Sequence, residues 1–337
     1  MPALVFEIAH ETPFHAGIGG DLAESAEIIP SDMLWGALCD TAHFIGRGTP
    51  LFDAAAPLRV TSMFPRCGRV RFLPMPFLPS EHRAQATCDE SPDDPVLAKK
   101  WKSVKYVSEK AFDALVKGGM PAKPSRPDGF LATEKEAREL PATILQSAVS
   151  PANTLDRLTD NAAPWLRAEV IYNTAAGCGT WFMADAPEEH SDTVVQLVQA
   201  LGERGIGGER GIGKGRLRIT NTPAPYSGPL ALEPADHSWF VTLSRFLPTR
   251  EEVELGLLDD AAYNTIVRGG WSGGFRKRKI RLCREGGAFP ARKAAPPFGH
   301  IVDVAPDAWK NSGRHPLWLC GCAFPAFYTP QSREVSP

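Results

Sequence analysis

The residues with the clearest chemical potential lie in one short stretch. Gly202-Glu203-Arg204-Gly205-Ile206-Gly207 is followed at once by Gly208-Glu209-Arg210-Gly211-Ile212-Gly213, a tandem repeat that runs into Lys214-Gly215-Arg216. Glycine reaches positive φ and leaves its N–H uncovered. Successive N–H groups in such turns form concave nests for anions. Arg204, Arg210, Lys214 and Arg216 add full positive charges, and the guanidinium fork matches phosphate oxygens. The chemistry is that of a phosphate cradle. Gly208 to Gly215 spells G-x-x-x-x-G-K-G, yet a nucleotide-hydrolysing loop needs Ser or Thr after the Lys to hold Mg²⁺, and Gly215 stands there.

The elements that must position this loop are readable on both sides. Val194, Leu197, Val198 and Leu201 recur at helical spacing. Pro187 with Glu188 and Glu189 starts that helix, and Gly202 stops it. Arg216-Leu217-Arg218-Ile219-Thr220 alternates as a strand does, with Arg216, Arg218 and Thr220 on one face and the apolar pair on the other. The order helix–loop–strand is the reverse of what P-loops and dinucleotide fingerprints use. The plain alternative is a flexible turn with solvated charges.

At 337 residues the chain can bury a sizeable core, and two domains are expected. A net charge of −2 makes any nucleic-acid surface a local patch. The start, Met1 to Phe6, has no basic n-region, and no run of apolar residues is long enough to span a membrane. Seven scattered cysteines, with Cys320-Gly321-Cys322 lacking zinc-ligand spacing, point to a reduced cytoplasmic protein with inert thiols. No cofactor or metal site is expected.

Taken in order, Leu4 to Ile8 reads as a buried strand. Ser31 is placed to cap a helix whose apolar face is Leu34, Leu38, Ala42 and Ile45. Strands follow at 58–64 and 70–72. With the helix at 188–201 and the strand at 216–220 these make a βαββαβ, ferredoxin-like unit. Residues 75–160 form a Pro-rich, polar insertion containing a basic, aromatic block at 99–107. A hairpin is expected from Arg167–Tyr172 and Thr180–Ala184. The Pro-rich stretch 221–237 is a connector, so the expected domains are 1–222 and 223–337. The second unit begins at Trp239, with a helix near 251–267 and strand pieces at 301–304 and 317–324. Between them runs a basic tract, Arg268, Arg276, Lys277, Arg278, Lys279, Arg281, Arg284, Arg292 and Lys293, with Glu285 opposing and Trp271 and Phe275 inside. The fold class is α+β: two tandem ferredoxin-like units, with a Gly-rich loop at 202–215 and a long insertion in the first.

Several blocks carry a resemblance. Glu27 to Leu38, the Lys-rich 99–106, Asn153-Thr154-Leu155-Asp156-Arg157-Leu158-Thr159, Gly207-Gly208-Glu209-Arg210, Trp271 to Phe289, Gly299 to Val304 and His315-Pro316 occur in this order. Together they resemble the RAMP proteins of CRISPR effector complexes, in particular the group of the fourth subunit of type III-A (Csm) complexes. The chain departs from that pattern at Gly211-Ile212, where Ser-Ser or Thr-Ser is usual, and at Gly286-Gly287, where Gly-Ser is common. The resemblance implies a non-catalytic, cytoplasmic subunit that binds the 5′ tag of the CRISPR RNA. Its implied partners are the large polymerase/cyclase-like subunit, the neighbouring backbone RAMP subunit and, indirectly, target RNA.

The residues expected to bind RNA are Ser31, Asn153, Arg157, Gly207, Gly208, Arg210, Gly211, Gly213, Lys214, Gly215, Arg216, Arg218, Trp271, Arg276, Lys277, Arg278 and Lys279. Ordinary roles compete for several of them. Ser31 also reads as a helix cap, Arg157 as the partner of Asp156, Trp271 as core, and 276–281 as a protein-docking face. Asp32 reads as a helix-dipole partner. His10 and His15 offer an acid and a base for RNA cleavage, so a precursor-RNA-processing endoribonuclease is the alternative enzyme, and a pure protein scaffold is the third possibility.

Overall fold

The structure is a computed structural model, and it describes residues 3–18, 22–47, 50–52, 58–82, 103–119, 129–155, 158–159 and 161–330. Residues 99–102 of the expected basic block, Arg157 and much of the polar insertion lie outside the described residues.

The first half is organised by strand β1 (Leu4–His10), which the alternation predicts and whose Phe6 and Ile8 are fully buried. The first helix, Ser31–Phe44, packs Leu34, Trp35, Leu38 and Ala42 inward and ends before Gly46 at φ +70°. Its N-cap is Pro30, with no side-chain cap, so Ser31 does not cap it. The expected strand at 58–64 is split into β2 (Arg59–Val60) and β3 (Phe64–Cys67), because the Ser62 N–H turns aside to Leu243 O in the second half. Then follow β4 (Val70–Pro74), β5 (Tyr106–Ser108) and β6 (Phe130–Leu131). A helix, Glu109–Val116, is capped by Ser108.

Strand β7 (Leu145–Leu155) pairs along its whole length with β8 (Ala162–Tyr172). This overturns the expected hairpin of 167–172 with 180–184. Instead β9 (Cys178–Asp185) takes a central place, antiparallel to β1 on one side and to β2 and β3 on the other. The helix Ser191–Arg204 buries Val194, Leu197, Val198 and Leu201, as their spacing predicts. It runs through Gly202 and stops at Gly205, φ +77°. Strand β10 (Leu217–Ile219) then returns beside β1, and β11 (Ala224–Pro225) pairs with the start of β1. The sheet order is β10-β1-β9-β3-β4-β5-β6, so segments from the expected insertion extend one edge of the sheet.

In the second half β12 (Trp239–Thr242) is flanked by β17 (Ala288–Pro290) and β20 (Pro325–Tyr328). Its alternation feeds two cores. Trp239 and Val241 join the large core of the first half, while Phe240 packs with Phe246, Phe289, Phe298 and Phe327. The core therefore runs across the 222/223 division. The helix expected near 251–267 is only Arg250–Glu254: Thr249 starts it with a capping box, and Gly256 at φ +79° follows its end. Residues Thr265–Arg268 are β13, paired with β16 (Ile280–Cys283), and between them sits the small hairpin β14 (Trp271–Ser272) and β15 (Phe275–Arg276). Strand β18 (Ile301–Asp303) pairs with β19 (Trp318–Cys320), apart from the three-stranded sheet. Cys67 and Cys178, directly opposite on β3 and β9, form a disulfide, which corrects the expectation that all thiols are free.

The halves are joined by buried polar contacts. The Arg245 guanidinium donates to Glu285 at 2.8 Å, with side chains only 4% and 5% exposed. Ser62 Oγ donates to the same carboxylate at 2.6 Å, the Ser31 N–H donates to Ser62 Oγ, and the Arg245 N–H donates to Ser31 Oγ.

Candidate nucleic-acid interface

The glycine repeat is built in two unequal parts. In the first, Ile206 is fully buried and its N–H donates to Gly215 O at 2.9 Å. Gly208 N–H donates to His15 O, and Gly215 N–H to Pro13 O. Gly215 sits at φ +73°, where a Cβ would lie 1.9 Å from Ile206 O, so only glycine fits this close approach. In the second part Arg210–Ile212 makes a 3-10 turn between Glu209 (φ +59°) and Gly213 (φ +86°), and Ile212 is 66% exposed.

The cradle expectation is corrected in its details. The N–H groups of Gly208, Ile212, Gly213, Lys214 and Gly215 donate to carbonyls of the chain itself. Those of Gly207, Arg210 and Gly211 have no partner among the described residues. The cations also face acids. Lys214 pairs with Glu169, Arg216 with Glu203 at 2.8 Å, and Arg218 with Glu11 at 3.4 Å. Arg204 and Arg210 share Asp40 at 2.9 and 3.7 Å. Arg216, Arg218 and Thr220 are exposed on one face with Leu217 buried, as the alternation predicts.

A groove of about 1190 Å³ runs between the two halves. One wall is the first helix and the near end of the loop, with Asp32, Gly36, Asp40, Gly207 and Arg210. The other is the basic tract, with Trp271, Arg276, Lys277, Arg278, Lys279 and Trp318. Trp271 is 67% exposed, with the Arg276 guanidinium 5.6 Å from its ring centre. Phe275 is no platform: it packs edge-on against Trp309, with Arg314 over both rings. Arg276, Lys277 and Lys279 form no ion pair among the described residues. Burial pulls the Lys277 ammonium below its ordinary range, opposed by the charge of Asp32.

The groove thus gathers Gly207, Arg210, Trp271 and residues 276–279. It leaves Gly213, Lys214, Gly215, Arg216 and Arg218 outside, together with Asn153, which is exposed on β7. Gly208 packs against His15, and Gly211 is exposed. Ser31 is buried between the halves and occupied by Arg245. Trp318, 45% exposed, was missed in the sequence; its neighbour Leu317 is buried, and strand alternation from that residue was the available signal.

The histidine pair offers no acid–base site. His10 is buried, hydrogen-bonded to Thr180 at 3.0 Å, stacked with Tyr172 and tilted against Phe14. Burial, with Arg66 adding to it, pulls its imidazole down to about 3, so it is neutral at physiological pH. His15 Nδ1 is occupied by Ala168 O at 2.8 Å. Among the described residues no group of three or more His, Cys, Asp or Glu could hold a metal, and no helix is long and apolar enough to cross a membrane.

Comparison with known proteins bears out the resemblance. Residues 235–326 match the family model of the CRISPR Csm4 C-terminal domain. A chain of the Csm3–Csm4 subcomplex of the type III-A CRISPR-Cas interference complex is 14% identical, with a TM-score of 0.63, covering 98% of this chain and 100% of that one. Chains of the Csm1–Csm4 cassette in complex with cA4 and with pppApA are 16% and 17% identical, with TM-scores of 0.60 and 0.56 and the same coverage. These likenesses establish a shared fold over nearly the whole length. No curated protein sequence matches the chain.

Proposed function

We propose that this chain, which carries the Csm4 C-terminal domain and the fold of chains in Csm1–Csm4 and Csm3–Csm4 assemblies, is the RNA-binding, non-catalytic Csm4 subunit of a type III effector complex. It holds the 5′ tag of the CRISPR RNA in the groove and docks a polymerase-like Csm1 partner and a backbone Csm3 partner. The sheet order β10-β1-β9-β3, with the helices Ser31–Phe44 and Ser191–Arg204 packed together, supports reading that half as a ferredoxin-like βαββαβ unit.

The observation that carries the proposal is the groove's chemistry. Cations without acidic partners and two exposed indoles line the groove together with Gly207 and Arg210, whose N–H groups have no partner among the described residues. Single-stranded RNA is held by this combination of phosphate contacts and stacking platforms. The alternative, an endoribonuclease, loses its support because His10 is buried and neutral.

Fluorescence anisotropy with tag RNA across a salt series tests the proposal. Arg276→Ala and Lys279→Ala should each flatten the salt slope by about 0.7. Trp271→Ala should weaken binding by about 1–3 kcal/mol without changing that slope. Unchanged slopes and affinity in all three folded variants would remove the groove from RNA binding.

A further inference from the structure

The groove carries two features that phosphate binding and stacking leave unused, both on the first helix. Asp32, Gly36, Asp40 and His43 follow one another at helical spacing and all line the groove. Gly36 sits in the middle of this helix, where glycine is less stable than alanine. A Cβ at Gly36 would meet nothing within 4 Å, so no neighbour in the chain requires glycine there. The space in front of it is open to something from outside.

One turn earlier stands Asp32, its side chain only 5% exposed. Its Oδ2 accepts from Arg268 Nε at 2.7 Å, and that guanidinium is held in turn by Gly17 O at 2.8 Å. Its Oδ1 is buried with no hydrogen-bond partner. Lys277 shares this corner and feels the carboxylate's charge, but forms no ion pair with it. A buried carboxylate oxygen needs donors, and each oxygen has lone pairs for two. A phosphate cannot satisfy it, since like charges repel. The edge of a base can.

We propose that Asp32 and Gly36 form a base-reading pocket: Gly36 lets one nucleobase of the bound single strand lie against the helix, and Asp32 Oδ1 accepts a hydrogen bond from its exocyclic amine. The half-buried Lys277 side chain moves aside as the base enters. Cytosine N4 and adenine N6 are suitable donors, and pairing of a carboxylate with cytosine N4 is a known mode of base recognition. Uracil presents a carbonyl oxygen in place of the cytosine amine and is repelled. The inference rests on the groove being a single-strand RNA site and adds a base preference that phosphate contacts cannot supply.

Oligo(C) and oligo(U) RNAs of equal length isolate the effect, because they differ only on the pairing edge of the base, in the C4 substituent and the N3 proton, and carry the same charge. The full chain should bind oligo(C) about tenfold more tightly, the range for a hydrogen bond to a charged group, with equal salt slopes. Asp32→Asn should bring the ratio close to one, because its amide can turn an N–H toward the uracil oxygen. Gly36→Leu should weaken binding of both oligomers while holding Tm at or above the parent value, since leucine favours helix and the space is open. Equal affinity of the parent for the two oligomers, with a normal salt slope, overturns the base pocket and leaves the RNA groove standing. So does a folded Gly36→Leu chain that binds like the parent. Salt-independent or absent binding of both oligomers overturns the RNA reading itself. Should Asp32→Asn fail to fold, the parent's ratio and Gly36→Leu still decide.

Discussion

Glu285→Gln is the sharpest probe of how the two halves are held together. The substitution keeps the side chain's size and removes its charge, leaving the Arg245 guanidinium buried without a counter-ion, its NH1 already lacking a partner. Burial alone would raise the Glu285 carboxyl, but Arg245 and the Ser62 hydroxyl outweigh it and carry it below the ordinary range. The same pairing outweighs burial at Arg245 and raises the guanidinium. Removing one member of a buried pair costs about 3–5 kcal/mol, against about 0–1 for an exposed pair. At about 4 kcal/mol the folding equilibrium falls roughly a thousandfold, and at about 2–4 °C per kcal/mol Tm drops by roughly 8–16 °C. Urea unfolding followed by tryptophan fluorescence reads both halves, since Trp35 and Trp181 lie in the first and Trp239 and Trp309 in the second. Because the folded carboxyl is depressed, its contribution is complete above the ordinary carboxylate range and is lost as pH falls through the lowered value. The gap between parent and variant should therefore close in acid. A loss under about 1 kcal/mol, or an Arg245→Met/Glu285→Met double variant no more stable than Glu285→Gln, would refute the reasoning.

Two further outcomes follow from buried features of the first half. His10 is held neutral, with its imidazole lowered from 6.5 to about 3, so its contribution is complete above pH 6.5 and drains away as pH falls toward 3; between pH 6.5 and 4.5 His10→Gln should lose about 2–3 kcal/mol less stability than the parent, and parallel urea midpoints would contradict this. Gly215→Ala should cost roughly 3 kcal/mol or prevent folding, whereas Gly211→Ala, with open space around it, should stay within about 0.5 kcal/mol of the parent by thermal denaturation.

Local signals in the sequence carried what local physics decides. The apolar spacing of Val194 to Leu201 and the alternation through Leu217 gave the helix, the strand and the face on which Arg216 and Arg218 stand. Long-range pairing was not legible. Ser147 to Asn153 is polar enough to read as insertion, yet it forms a strand because its partner, Ala162 to Tyr172, supplies the hydrogen bonds. At 251–267 a helix does start, capped by Thr249, but the positive φ at Gly256 and the β-branched run from Thr265 end it early. The site shows the same division. Its cations were visible, but the acids opposite them, Glu11, Asp40 and Glu169, are remote in sequence and join them only through the fold.

The two GERGIG units are identical in letters and unlike in situation. The first is fastened, with Ile206 buried and Gly207 and Gly215 pressed against backbone; the second is an arm held at its base, where Gly208 N–H donates to His15 O and Glu209 accepts from Arg167, with Ile212 in solvent. The fastening asks for Gly-Ile-Gly-Gly after the helix and Gly215 at the return. Closing a loop of a different length changes its entropy cost only slowly. The arm is therefore a modular part, free to gain or lose a six-residue unit through its gene while its root keeps the same seat, so that reach toward a bound strand can be tuned apart from the stability of the body that carries it.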